Sequence, residues 1–262
     1  MTGTCPLWFP PLIAAVFGAV IGSFLNVCIY RIPLGRSVVS PPSSCPACGA
    51  RIAPYDNVPV LAWLWLRGRC RSCGAGISPR YPVIEALTAL LFLGLALRYG
   101  PTWELLAALI FGCAMIVVTF IDLDHRLIPD AVTLPGVLLG FLSAAVSPVT
   151  LVESLLGAAL GYALLFGLGR AYLKLTGVEG MGGGDVKLAA MLGAFLGWKG
   201  LLMTVFLASL IGTLAGLVLM ARGRGGRRTA LPFGTLLAPV AVGIQVWGAD
   251  LLRWYLDLAR RS

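Results

Sequence analysis

The chain has 262 residues, 58% of them hydrophobic and only 12% charged, with a formal net charge of +9 and a mean hydropathy of +0.90. That balance excludes an ordinary soluble domain and predicts an all-α polytopic membrane protein, since about 20 apolar residues suffice for one helical crossing. The positive charge does not read as a nucleic-acid interface, because most of the Lys and Arg sit in loops beside apolar segments, where they set orientation.

The first expected span covers residues 9–30, with Trp8 and Phe9 as interfacial anchors and Arg31 and Arg36 closing its cytoplasmic end. No Lys or Arg precedes Arg31, so this segment lacks the basic start of a secretory signal and is expected to be retained. Residues 31–82 change character. They are rich in Ser and Pro, carry four paired cysteines, and set seven arginines (31, 36, 51, 67, 69, 71 and 80) against Asp56 as the only acid. This reads as a small cytoplasmic insert. Residues 83–262 are expected to form a seven-span core, with apolar segments near 83–98, 103–121, 130–147, 151–173, 186–198, 200–220 and 231–249, giving about eight transmembrane helices in all. The segment 186–198 is short for a crossing and should be enclosed by protein.

Threaded from an outside N-terminus, these spans place the loops 31–82, 122–130, 174–185 and 221–230 on the cytoplasmic side. The last of these contains Arg222, Arg224, Arg227 and Arg228, as that orientation requires. The C-terminal tail, with Arg253, Arg260 and Arg261, fits it less well.

Cys45-Pro46-Ala47-Cys48-Gly49 is followed by Cys70-Arg71-Ser72-Cys73-Gly74, with 21 residues between Cys48 and Cys70. Two thiolates two residues apart can grip one face of a tetrahedral ion, and the glycine after each pair frees the backbone to turn around it. Two disulfides are the alternative, but thiols on the cytoplasmic side stay reduced, so the pattern points to zinc. Four sulfur ligands fill the shell and make the site structural. Cys5, Cys28 and Cys113 read as small apolar residues in or near spans.

Two bursts of polarity interrupt the apolar core. Gly180-Met181-Gly182-Gly183-Gly184-Asp185 ends a glycine run in a carboxylate, expected on open, non-helical backbone, and Asp122-Leu123-Asp124-His125-Arg126 ends another apolar segment. Acids at membrane depth are costly and so are functional candidates, although Asp122 and Asp124 could equally be the solvated end of a span. Two carboxyls sharing a proton could perform aspartic-protease chemistry, one drawing a proton from water and the other protonating the peptide carbonyl. His125 is the only histidine and no serine sits near it in a recognisable motif, so no triad competes. A proton-coupled transporter is the alternative, because buried acids beside broken helices also serve ion pathways. Against it stand the absence of an inverted repeat and the position of both acids near one face.

The motif Gly-Met-Gly-x-Gly-Asp-x-Lys-Leu, running from Gly180 to Leu188, resembles the second active-site motif of the bacterial type IV prepilin peptidases. Gly22-Ser23-Phe24-Leu25-Asn26-Val27-Cys28-Ile29-Tyr30-Arg31 resembles that family's first-span signature, the tetracysteine loop its zinc-binding insert, and Asp122 to Asp130 its first catalytic motif. Gly183 stands where relatives commonly have an aromatic residue. The resemblance implies that Asp122 and Asp185 are the catalytic pair, with Asp124 as fallback and Gly182, Gly184 and Lys187 in support, and that Cys45, Cys48, Cys70 and Cys73 hold zinc. It also implies cleavage of the basic leader of prepilins and pseudopilins at the cytoplasmic face of a bacterial inner membrane, then N-methylation from S-adenosylmethionine. No Gly-x-Gly-x-x-Gly loop marks the methyl-donor site, for which Asn26, Arg31 and the zinc insert are the candidates.

Overall fold

The computed structural model describes residues 9–178, 181–222 and 233–261, and these contain eight α-helices and no strand. Cys5, Trp8 and Gly180, and the loop arginines 224, 227 and 228, lie outside the described residues. The chain divides into two compact units, one ending at Leu109 and the other beginning at Ile110.

The first unit contains α1 (Phe9–Arg31), the short α2 (Leu61–Trp65) and α3 (Arg80–Tyr99). Gly18, Gly22, Leu25 and Ile29 are buried at helical spacing along one face of α1, while Leu12, Ile13, Val16, Phe17, Val20 and Phe24 are exposed on the rest. The buried stripe lies against α3: a Cβ on Gly18 would meet the Phe92 side chain at 2.7 Å, and one on Gly22 would meet the Glu85 Cα at 2.7 Å. Small residues therefore set the separation of these two helices, as in other membrane helix pairs.

The helix α4 (Trp103–His125) runs into the second unit, which also holds α5 (Asp130–Ser143), α6 (Leu151–Thr176), α7 (Gly183–Ala221) and α8 (Phe233–Arg261). Six helices, α1, α3, α4, α6, α7 and α8, are long and apolar enough to cross a membrane, and α5 is a shorter apolar helix. The protein is therefore a multi-pass membrane protein. As one rod, the 39 residues of α7 would reach about 58 Å, nearly twice a hydrocarbon core of about 30 Å. Gly197 breaks it, at φ 67° and ψ 176°, a backbone conformation essentially restricted to glycine. The eight expected apolar segments thus fall on α1, α3, α4, α5, α6, the two halves of α7, and α8.

The first half of α7 is the centre of the second unit. Val186, Leu188, Ala189, Met191, Leu192, Gly193, Ala194 and Phe195 are all buried there, so this short apolar segment is enclosed by protein as expected. On one side, Gly136 and Gly140 of α5 lie against Met191 and Ala194; on the other, Gly157 and Gly161 of α6 lie against Gly193 and Ala189. Ser154 of α6 donates to the Ala194 carbonyl at 2.6 Å. Phe111, Met115 and Val118 of α4 and Leu237, Ala238 and Ala241 of α8 complete the same apolar core.

Candidate functional site

The last turn of α4 carries Asp122, and only 5% of its surface is exposed. Asp124, two residues on, falls on a different face of the helix and is exposed. Helix α4 ends at His125. Arg126 takes a positive φ of 51° and its N–H returns to the Asp122 carbonyl at 2.9 Å, turning the chain toward α5.

Asp185 lies in the first turn of α7, with its Oδ2 accepting the Gly182 N–H at 3.2 Å. The expectation of open backbone at this residue is therefore corrected: the helix begins at Gly183, and the carboxylate caps its own N-terminus. Helix starts leave N–H groups without partners and carry partial positive charge, so an acid at this position is stabilised. Asp122 is held the same way from α8. The Thr235 N–H and hydroxyl both donate to Asp122 Oδ2, at 2.6 and 2.9 Å. Each of the two carboxylates thus sits at the N-terminus of a helix.

Ile128 is the wedge that keeps these parts in place. A Cβ on Gly184 would meet the Ile128 Cβ at 2.9 Å and its carbonyl at 3.1 Å, and a Cβ on Gly234 would meet the Ile128 Cδ1 at 2.8 Å and Asp122 Oδ2 at 3.0 Å. Gly183, by contrast, has open space around it. Lys187 faces neither catalytic candidate; it pairs with Asp130 in the first turn of α5, at 2.8 and 2.6 Å to the two oxygens. Thr235, Gly234 and the pairing role of Asp130 were not singled out from the sequence. The one available signal was Phe233-Gly234-Thr235, a small polar step opening the last apolar segment.

In the first unit the four cysteines come together. Each Cys-x2-Cys pair forms the same knuckle: the N–H of Cys45 bonds the Ala50 carbonyl and that of Gly49 the Cys45 carbonyl, both at 2.9 Å, and Cys70, Ala75 and Gly74 repeat this at 2.8 and 2.9 Å. Gly49 and Gly74 both sit at φ 71°, the left-handed turn the motif requires. The four sulfurs lie within 4.8 Å of one another, with Cys45 and Cys73 at 3.9 Å. Metal–sulfur bonds of about 2.3 Å in a tetrahedron place sulfurs roughly 3.8 Å apart, so the cluster fits a metal ion. The Cys48 and Ala47 N–H groups favour the Cys45 thiolate and bring its pKa down to about 6. At Cys73 the Ala75 N–H acts in the same sense, but the neighbouring sulfurs and burial push the thiol up to about 11. Arg71, inside the second knuckle, clamps Asp56 through Nε at 2.8 Å and Nη2 at 2.6 Å, and holds that carboxyl below the usual range.

Asn26 donates to the Gly22 and Tyr81 carbonyls at 3.3 and 3.2 Å, and Arg31 to the Ser37 and Pro41 carbonyls at 3.0 and 2.7 Å. Both stitch α1 to its surroundings.

Comparison with known proteins is consistent across the chain. The Bacterial Peptidase A24 N-terminal domain matches residues 16–99, and the Type IV leader peptidase family matches residues 109–217. A prepilin leader peptidase/N-methyltransferase of Aeromonas hydrophila is 41% identical over 95% of this chain and 94% of its own length. The chain belongs to the type IV leader peptidase family. Other members of that family bearing the same name are 45% identical in Myxococcus xanthus, over 86% of this chain and 68% of the relative, and 36% identical in Pseudomonas aeruginosa, over 95% and 94%. No solved structure matches the chain. Membership of the type IV leader peptidase family makes the protein a peptidase, and nothing found favours a transporter.

Proposed function

We propose that Asp122 and Asp185 are the catalytic pair of a membrane aspartic endopeptidase that removes the basic leader from prepilins and pseudopilins at the cytoplasmic face of a bacterial inner membrane. The observation that carries this reading is that a buried Asp122, held by the start of α8, and Asp185, at the start of α7, sit at two helix ends packed on the same residue, Ile128. One carboxylate takes a proton from water as its oxygen bonds the scissile carbonyl carbon, and the other carboxyl protonates the carbonyl oxygen. Collapse of the resulting gem-diol breaks the C–N bond, sends one proton to the departing amine and restores the pair. Asp124 is set aside because it faces outward.

The same chain then N-methylates the new terminal amine, with S-adenosylmethionine consumed as a second substrate. The names of the relatives support this second activity. Zinc held by Cys45, Cys48, Cys70 and Cys73 shapes the insert of residues 31–82, which serves methylation beside the first span, residues 1–30, while the peptidase core lies within 83–262. Asn26 and Arg31 serve the methyl-donor side by fixing backbone, since their amide and guanidinium groups donate to carbonyls.

The test uses the purified protein in detergent with a synthetic prepilin N-terminal segment, read by mass spectrometry with and without S-adenosylmethionine. Asp122→Ala and Asp185→Ala should each lower cleavage by at least about a hundredfold, while Asp124→Ala cleaves. Cleavage by either of the first two at the native rate would overturn the assignment.

A further inference from the structure

Thr235 is a residue for which neither the chemistry above nor the family resemblance has a use, yet it makes two contacts with one catalytic oxygen. Its backbone N–H and its hydroxyl both donate to Asp122 Oδ2, at 2.6 and 2.9 Å. An oxygen that accepts two donors at those distances is filled as an acceptor and is not the atom that carries a proton. Gly234 makes the approach possible, because any side chain there would collide with Asp122 Oδ2 and with Ile128. The N–H belongs to the first turn of α8, where no intrahelical carbonyl claims it and the helix end favours negative charge.

Resting on the proposal that Asp122 and Asp185 cut the peptide, we infer that Thr235 is a positioning residue that locks Asp122 as the ionised, water-activating member of the pair and leaves the shared proton on Asp185. The remaining charged groups do not contradict this division. Asp185 of α7 accepts a single N–H, from Gly182 at 3.2 Å, against the two shorter donors on Asp122, so it is the member of the pair less committed to the ionised form; Lys187 of α7 and Asp130 of α5 neutralise one another. Arg170 and Lys174 of α6 and Asp124, His125 and Arg126 at the end of α4 are exposed, and α8 has no charged residue from Phe233 to Ala249.

The step then has a direction. Asp122 Oδ1 accepts a proton from water while the water oxygen bonds the carbonyl carbon, and the Asp185 carboxyl gives its proton to the carbonyl oxygen. On collapse, Asp122 returns its proton to the leaving nitrogen as the C–N bond breaks, and a gem-diol hydroxyl re-protonates Asp185. Asp122 finishes ionised under Thr235, ready for the next turnover. Both donors of Thr235 are spent on Asp122, so its loss should act on kcat and not on KM.

The experiment compares the full chain in detergent with Thr235→Val, which keeps shape but loses the hydroxyl, and with Thr235→Ser, which keeps the hydroxyl. Steady-state cleavage of a prepilin N-terminal peptide should show kcat falling about 10- to 100-fold in Thr235→Val with KM within about twofold, and Thr235→Ser recovering most of that loss. Native kcat in Thr235→Val, or an equal loss in Thr235→Ser, would overturn the inference. Asp122→Ala separates the two levels: if it is inactive while Thr235→Val is normal, the inference alone fails, and if it still cleaves, the inference and the catalytic reading fail together.

Discussion

Lys187 donates to both carboxylate oxygens of Asp130, so the start of α7 is tied to the first turn of α5 two residues beyond Asp185. Both partners are partly exposed, 37% and 53% at the side chain, and an ion pair this open contributes about 1 kcal/mol or less. Lys187→Ala and Asp130→Ala should therefore each give a small loss of thermal stability and a modest fall in cleavage, with the double variant no worse than either single. A double-mutant cycle on melting temperature and kcat checks this. A Lys187→Ala enzyme as inactive as Asp185→Ala would show that the lysine takes part in the chemistry instead.

The glycine motif before Asp185 is not uniform. Gly184 lies against Ile128, whereas Gly183 faces open space. Gly184→Ala must push α7 away from Ile128, at a cost on the order of 1–3 kcal/mol for overpacking, and should lower cleavage by displacing Asp185. Gly183→Phe should keep activity within a few-fold, because no described atom lies within 4 Å of a Cβ at this position. Cleavage assays beside thermal melts of both variants decide the matter, and equal sensitivity at the two positions would contradict the structure.

Much of this arrangement was legible in the chain. Apolar run lengths located the spans, and the paired Cys-x2-Cys-Gly motifs announced the knuckles, because both signals are local. The short segment 186–198 was readable as enclosed for the same reason, since 13 residues cannot cross alone. What escaped were relationships between distant residues. Thr235 is 113 positions from Asp122, and nothing in Phe233-Gly234-Thr235 says which helix end it will meet. The glycine run was read as a break, yet α7 starts inside it, because Asp185 caps the first turn and the surrounding core supplies the helix with packing that propensity alone lacks. The small-residue faces of Gly136 and Gly140, and of Gly157 and Gly161, were not read from the chain either, because they have no partner to point to until α7 is in place.

The cysteine cluster makes a prediction about protons. A metal binds thiolates, so each thiol still protonated before binding releases a proton. Cys45, lowered to about 6 by the Cys48 and Ala47 N–H groups, is already ionised at pH 8 and contributes none there, whereas Cys73, pushed up to about 11, contributes a full one. As the pH is lowered through about 6, Cys45 becomes protonated before binding and the release per zinc should rise by about one. Zinc titration of the metal-free protein in detergent, with a pH indicator at pH 8 and pH 5, measures this directly. An unchanged proton count across that range would mean that the backbone donors do not hold Cys45 ionised.

Val60 is the most strained residue described in the insert. Its φ of 62° and ψ of −52° form a tight turn closed by the Leu61 N–H to the Pro59 carbonyl at 2.6 Å, a conformation unfavourable for a β-branched side chain by about 1–3 kcal/mol. What holds it is Glu85 of α3, buried, whose Oε2 accepts the Val60 N–H at 2.7 Å. The strained turn and the buried acid are thus two halves of one attachment between the insert and α3. Val60→Gly should relieve the strain and raise the melting temperature, while Glu85→Ala should lower it, because an N–H left without its acceptor costs about 1–3 kcal/mol. In Val60→Gly/Glu85→Ala the loss should be smaller than in Glu85→Ala alone, since the relaxed turn no longer depends on the carboxylate. Tryptophan-fluorescence melts of the three variants in detergent test this, and a destabilised Val60→Gly would mean that the valine side chain, not the turn, is what α3 receives.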